Sequence, residues 1–212
     1  LLAKTIAKYQ PVTVLCRPAQ LALAKSKCGT TNIKFISVAL DDIWMRDFGG
    51  CFVVDDQGGR GLVDFNFNGW GNKQTHANDT LVADELSYQT NATYISSQLT
   101  GEGGGIEIDG HGTAIMTESC WVNSNRNPGM SRAQIEAELK ANLGLRKIIW
   151  LPGIKDKDIT DAHVDFYARF ASKGVVIANL DNDPKSYDYA VTRKHLDILK
   201  AATDADGNKL QV

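Results

Sequence analysis

Three stretches of this chain repeat one layout, and that repetition limits the fold more than any single motif does. Each stretch has a short lead-in, an alternating strand, a tight turn and a second strand, then an amphipathic helix running to another short apolar strand. The first hairpin is GGCFVVDDQGGRGLVDFNF from Gly49, turning at Gln57-Gly58-Gly59 between Cys51–Val54 and Gly61–Phe65, with a helix expected over Asp79–Tyr88. The second is GGGIEIDGHGTAIMTES from Gly103, turning at Asp109-Gly110, followed by a helix over Arg132–Asn142 that Ser131 caps and Gly144 stops. The third is HVDFYARFASKGVVIANL from His163, turning at Ser172-Lys173-Gly174, with a helix from about Ser186 to Ala201. The three hairpins begin 54 and 60 residues apart, which is the size of a supersecondary repeat.

A unit of this kind cannot bury its own apolar face, so repeats stack or close into a ring. The expected class is therefore α/β, built of ββαβ units. Residues 1–212 read as a single domain with about three units visible, cut short after the polar turn Asp204–Asn208 and incomplete at the N-terminus too. The competing reading is a complete α+β domain whose hairpins resemble one another by coincidence.

Composition removes several functions. A net charge of −2 with no basic stripe offers nothing to neutralise a phosphate backbone, so nucleic acid is a poor partner. No window is apolar enough to span a bilayer, so no membrane role is expected. Cys16, Cys28, Cys51 and Cys120 form no CxxC pair and no metal-ligand spacing with the four histidines, so neither metal nor cofactor is expected. A small or cationic substrate fits better. Leu1 opens onto LLAKTIAKY, a short amphipathic helix rather than a signal peptide, and the two Asn-X-Thr triplets at Asn78 and Asn91 do not settle the compartment. Oligomeric state stays open, a homo-oligomer included.

Chemistry concentrates just before each hairpin. Asp41-Asp42-Ile43-Trp44-Met45-Arg46-Asp47-Phe48-Gly49-Gly50 follows an apolar strand, Ile33–Leu40, and gathers three carboxylates, an indole and an arginine. Carboxylates and a π face could hold a guanidinium; equally, the loop could be solvated and acidic, with Trp44 in the core and Arg46 paired to Asp47. Gly101-Glu102-Gly103-Gly104-Gly105 sets one carboxylate among glycines that permit close backbone approach. It is no phosphate loop, because a strand follows where those motifs need a helix N-terminus. In Asp161-Ala162-His163-Val164-Asp165, strand alternation would put His163 on one face between two carboxylates, a proton-transfer arrangement or a structural hydrogen-bonding group. The Asn-rich run Asn123–Pro128 reads as a structural turn, and His76, His111 and His195 as bystanders in a loop, a hairpin turn and a surface-like helix.

Taken in order, DDIWMRDFGG, GEGGGIEIDGHGT, TESCWVNSNRNP and DITDAHVDFYARF closely resemble the agmatine deiminase and bacterial-type peptidylarginine deiminase family over residues 41 to 170. FNFNGWGN at Phe65–Asn72 looks more like the agmatine branch. The resemblance implies a pseudo-symmetric five-bladed α/β propeller. It also implies a covalent reaction in which a thiolate attacks the guanidinium carbon, ammonia leaves, and water hydrolyses the thiouronium. By that match Asp47 and Asp165 hold the guanidinium, His163 exchanges protons, Glu102 orients the imidazole, Trp44 forms an apolar wall, and Arg46 belongs to the substrate-binding loop.

The chain departs from the family in two places. The nucleophile should sit in a glycine-rich GGGxxHC-like segment, which does not occur here, and Cys120 is not it; the implied nucleophile lies beyond the last residue. Ala162 stands where the family usually has glycine. The favoured substrate is agmatine, giving N-carbamoylputrescine and ammonia. Arginine in peptides is the runner-up, with amidino transfer and a non-catalytic binding propeller as further alternatives.

Overall fold

The computed structural model describes all residues, 1–212, as ten strands in four separate sheets with helices between them. After a short helix at Leu2–Ile6, β1 (Val12–Cys16) crosses helix Leu21–Cys28 to pair in parallel with β2 (Ile33–Ser37), Val12 opposite Ile33 and Cys16 opposite Ser37. In the next sheet β3 (Cys51–Val54) and β4 (Arg60–Asp64) form an antiparallel hairpin. Helix Val82–Thr90 then leads to β5 (Thr93–Ser96), which lies parallel to β4. The third sheet repeats this with β6 (Glu107–Ile108) and β7 (Thr113–Thr117) antiparallel, helix Arg132–Leu143, and β8 (Lys147–Leu151) parallel to β7. In the fourth, β9 (Ala168–Ser172) and β10 (Val175–Ala178) are antiparallel, helix Asp188–Ala201 follows, and Gln211 returns to bridge Val175 in parallel. The expected ββαβ order holds in the first two of these units and ends in a single bridge rather than a strand in the third, and the three hairpins lie in separate sheets.

Local chemistry sets the element ends. Ser131 caps helix Arg132–Leu143 through a capping box with Gln134, and Gly144 closes it in the left-handed region at φ 63°. Asn91, at φ 52°, ends helix Val82–Thr90 in the same way. The second hairpin turns through four residues, Asp109 to Gly112, rather than at Asp109-Gly110 alone. The Asp109 carboxylate accepts the N–H groups of His111 and Thr113 and so holds a wider loop.

Every residue of β7 is buried, and its two faces enter different cores. Ala114 and Met116 pack with Val63, Leu99, Trp121 and Leu139 in one cluster, while Ile115 packs with Leu151, Val176 and Leu199 in the other. Strand β8 does the same with Ile148 and Ile149. This double burial explains why TAIMT and KIIWL read as apolar runs without clean alternation. Each of the larger side chains, such as Ile115, Met116, Ile148 and Ile149, contributes about 1.5–3 kcal/mol on leaving water.

Two expectations fail here. No strand starts at His163: Asp161 and Ala162 both have positive φ (59° and 69°), residues Val164–Phe166 form a 3-10 turn, and β9 begins only at Ala168. The cause is an aspartate-built turn in which the Asp158 carboxylate accepts the N–H groups of Thr160 and Ala162, curling the backbone where an extended run was expected. His195 does not lie on a wet helix face but is 1% exposed, its ring packed edge-on against Tyr167 at 4.9 Å.

Candidate active site

The segments preceding the three hairpins meet in one place. Residues Asp41–Asp47 are held by a reciprocal carboxylate clamp: Asp79 accepts the N–H groups of Asp41 and Asp42 at 2.8 and 3.0 Å, and Asp41 accepts Asn78 N and Nδ2 at 2.8 and 2.7 Å. Asp41 is therefore spent on structure. The short helix Met45–Phe48 then turns Asp47 inward. Its Oδ1 accepts the Gly104 N–H at 2.9 Å and its Oδ2 accepts the Trp70 indole N–H at 3.0 Å, so both oxygens are fixed.

The glycines around Glu102 are required by this meeting. A Cβ on Gly103 would lie 2.1 Å from the Arg46 carbonyl oxygen, and one on Gly104 would lie 2.4 Å from His163 Nδ1 and 2.8 Å from Asp47 Oδ1. Only bare backbone lets the three segments close. His163 then stands between two acids, its Nε2 at 3.1 Å from Glu102 Oε2 and its Nδ1 at 3.7 Å from Asp47 Oδ1.

Beneath the imidazole, Glu102 is fully buried and its carboxylate accepts Arg126 Nε at 2.8 and 3.0 Å. The same guanidinium donates from Nη1 to Asp161 Oδ2 at 2.8 Å and from Nη2 to the Thr160 carbonyl at 3.0 Å. Asp161 also accepts Lys73 Nζ at 2.8 Å and Asn125 Nδ2 at 3.0 Å. Thr117 and Ser119 donate their hydroxyls to the Ala162 and Asp161 carbonyls, so the turn presenting His163 is tied down on both sides.

Burial and charge oppose each other throughout. Burial alone would hold His163 below the usual imidazole range, but hydrogen bonds to Cys120 and Glu102 and the Glu102 charge outweigh it and raise its pKa well above that range. Burial pushes Glu102 up, yet the His163 hydrogen bond and the Arg126 charge bring it below the ordinary carboxylate value. Burial raises Asp47 against the pull of His163, Trp70 and Gly104. Cys120, whose Sγ lies 3.6 Å from Glu102 Oε2, has its pKa raised by burial and stays a thiol, so Glu102 is the anion facing the imidazole. Glu102, Cys120 and His163 also bring three ligating atoms within 4.8 Å of one another. A divalent ion among them would abut the Arg126 guanidinium already seated on Glu102, so the set suits proton exchange better than metal binding.

Of the residues expected from sequence, Asp47, Glu102 and His163 are brought together. Asp165 is half-buried on the Val164–Phe166 turn, and its carboxylate makes no hydrogen bond or ion pair. The shared strand face expected for Asp161, His163 and Asp165 does not exist, because the left-handed residues 161 and 162 turn Asp161 back toward Arg126 and Lys73. Trp44 is 54% exposed rather than in the core, and Arg46 is not paired to Asp47 but donates Nη2 to the Ile106 carbonyl at 3.0 Å. Trp70, Arg126 and Cys120 were not expected at the centre. A groove of about 730 Å³ between the first two hairpins is lined by Val53, Arg60, Ile95 and Leu145 and includes none of the three central residues.

Comparison with known proteins identifies the family of the chain. The family described as Porphyromonas-type peptidyl-arginine deiminase matches residues 1–212. A provisionally named agmatine deiminase of Streptomyces avermitilis is 41% identical over 99% of this chain and 63% of its own length. The structure of the agmatine deiminase of Enterococcus faecalis superimposes with a TM-score of 0.93 at 30% identity, covering 100% of this chain and 59% of that one. A cysteine-to-serine variant of the C. jejuni agmatine deiminase with substrate bound gives 0.86 at 30% identity, over 99% and 61%. The chain thus spans about three fifths of the length of these relatives. A mixed α/β fold and a match along all 212 residues place the chain in the Porphyromonas-type peptidyl-arginine deiminase family.

Proposed function

We propose that these residues form the substrate cradle and proton-exchange centre of an enzyme that hydrolyses a small guanidine, agmatine, to N-carbamoylputrescine and ammonia. One observation supports this above the rest: a carboxylate with both oxygens fixed, Asp47, lies beside an imidazole backed by a buried anion. A guanidinium stays protonated at any physiological pH, so a site for it needs carboxylates at its nitrogens. Asp47 supplies one, and Asp165, whose carboxylate is uncommitted, supplies the other. A thiolate adds to the guanidinium carbon, and the C–N bond breaks as His163 gives its proton to the departing ammonia. The neutral imidazole then takes a proton from water, whose oxygen attacks the thiouronium carbon and expels the thiolate. Glu102 stabilises the imidazolium in both half-reactions.

None of the four cysteines here suits the attacking role. Cys16 is buried with its Sγ toward the Ile36 carbonyl, Cys51 has its pKa pushed up to about 11 by burial, and Cys120 lies against Glu102 as a protonated thiol. Cys28 lies at the end of helix Leu21–Cys28, outside the three segments that meet at His163. On this reading, as the resemblance to the family implies, the nucleophile is supplied from outside residues 1–212 and the ββαβ units belong to a five-bladed pseudo-symmetric ring. Agmatine is favoured because curated relatives and several solved neighbours are named agmatine deiminases; a solved neighbour named for peptidyl-arginine and the family description keep peptidyl-arginine as the second reading.

Ammonia release by the complete protein is the test. Agmatine should be turned over faster than an arginine-containing peptide. His163→Ala should lower kcat by about 10²–10⁴-fold, the span typical of a general acid–base group, while Asp47→Ala should damage both KM and kcat. Turnover undiminished in His163→Ala would sink the reading.

A further inference from the structure

We propose that Arg126 is the positioning residue of this centre: its guanidinium fixes the Glu102 carboxylate beneath His163 and ties it to the turn that presents the imidazole. The inference rests on the functional reading above, in which Glu102 and His163 act as a pair. Arg126 belongs to the Asn-rich run that sequence reads as a structural turn, yet its side chain is wholly buried and all three of its nitrogens donate. Nε reaches both Glu102 oxygens, Nη1 reaches Asp161 and Asn125 Oδ1, and Nη2 reaches the Thr160 carbonyl. Glu102 belongs to the second unit's lead-in and Asp161 to the third's, so one planar fork sets the distance between the carboxylate and the segment bearing its imidazole partner.

Charge and geometry are separable parts of this role. The groups facing Glu102 are His163, Arg126 and the Cys120 thiol, with Asp47 on the far side of the imidazole. The groups facing Asp161 are Arg126, Lys73 and Asn125. Arg126 is thus the one permanent cation on Glu102, whereas Asp161 keeps Lys73 if Arg126 is removed. Lysine can replace the charge but not the fork, since a single ammonium cannot span two carboxylates and a carbonyl in fixed directions. Glutamine removes the charge and keeps some hydrogen bonding.

In the complete protein, Arg126→Lys should lower kcat for agmatine by about 10–100-fold through misplacement of the pair, with KM within about threefold and the acid limb of the kcat–pH profile unmoved. Arg126→Gln should lower kcat and also move that acid limb upward by about 1–3 pH units, because Glu102 loses the cation that keeps it ionised. A 13C-carboxyl titration of Glu102, assigned with Glu102→Gln, should show the same upward displacement in Arg126→Gln whether or not agmatine is the substrate. If the wild-type protein releases no ammonia from agmatine, the functional reading falls and this titration alone judges Arg126. An unmoved Glu102 midpoint in Arg126→Gln, or wild-type kcat in folded Arg126→Lys, overturns the proposal. So does a lowered melting temperature in both variants whose remaining folded enzyme keeps the wild-type pH profile, since that assigns Arg126 to stability alone.

Discussion

Single side chains here are exposed to conflicts that their neighbours resolve, and His195 is a conflict left unresolved. Its Nε2 accepts the Gly153 N–H at 3.1 Å, but its Nδ1 is buried without a partner, and burial, helped by Lys194, pushes its pKa down to about 4. The unfolded chain binds that proton near pH 6.5, whereas the folded one resists it until near pH 4. Stability contributed by the neutral ring is thus complete above about pH 6.5 and is lost as pH falls toward 4, by up to about 3 kcal/mol. Denaturant unfolding across that window should show a shallower loss in His195→Gln, which can still accept from Gly153; parallel curves for the two proteins would refute the assignment. Ala162 presents a milder conflict. Its φ of 69° costs a side chain about 1–2 kcal/mol, and the methyl offsets part of this by packing in the small cluster with Tyr167 and Val191. A residue other than glycine can therefore stand beside His163.

Elements with self-contained signals formed where sequence placed them. Helix Arg132–Leu143 has its cap and its stop glycine within its own 14-residue neighbourhood, from Ser131 to Gly144, and both act as expected, with Gln134 completing a capping box. Ser131→Ala should lower stability by about 1 kcal/mol in thermal or denaturant unfolding, since Ser131 accepts the Gln134 N–H and Gln134 returns to the Ser131 N–H; no measurable change would show the cap to be dispensable. The hairpins at Gly49 and Ser172 were legible for the same reason, as were Asp47, Glu102 and His163, which stand beside glycines or in dense ionisable motifs. The lead-in to the third hairpin was not legible. Alternation across Asp161, His163 and Asp165 mimics a strand, while the feature that breaks it is the Asp158 side chain bonding its own backbone. Trp70 and Arg126 were missed because their partners, Asp47 and Glu102, lie 23 and 24 residues away, and nothing local marks a buried indole or guanidinium as a hydrogen-bond donor to a distant carboxylate.

At the scale of the molecule, repetition of ββαβ units suggests modules that could open one at a time, as stacked repeats do. The packing argues for joint behaviour instead, because neighbouring cores share strands rather than merely touching. Hydrogen exchange should find the amides of β7 and β8 the slowest in the protein, with the Val63 and Val176 regions opening only together with them. A plateau in which the β9–β10 unit exchanges while β7 stays protected would contradict this. Strand β7 has a further meaning when read as a party wall. Ile115 and Met116 are consecutive in sequence yet are fully buried in opposite rooms, so two adjacent codons govern two different interiors. A single-residue insertion or deletion in Thr113–Thr117 would exchange the tenants of both rooms at once. The strand can accommodate change by substitution, one room at a time, but not by a change in length.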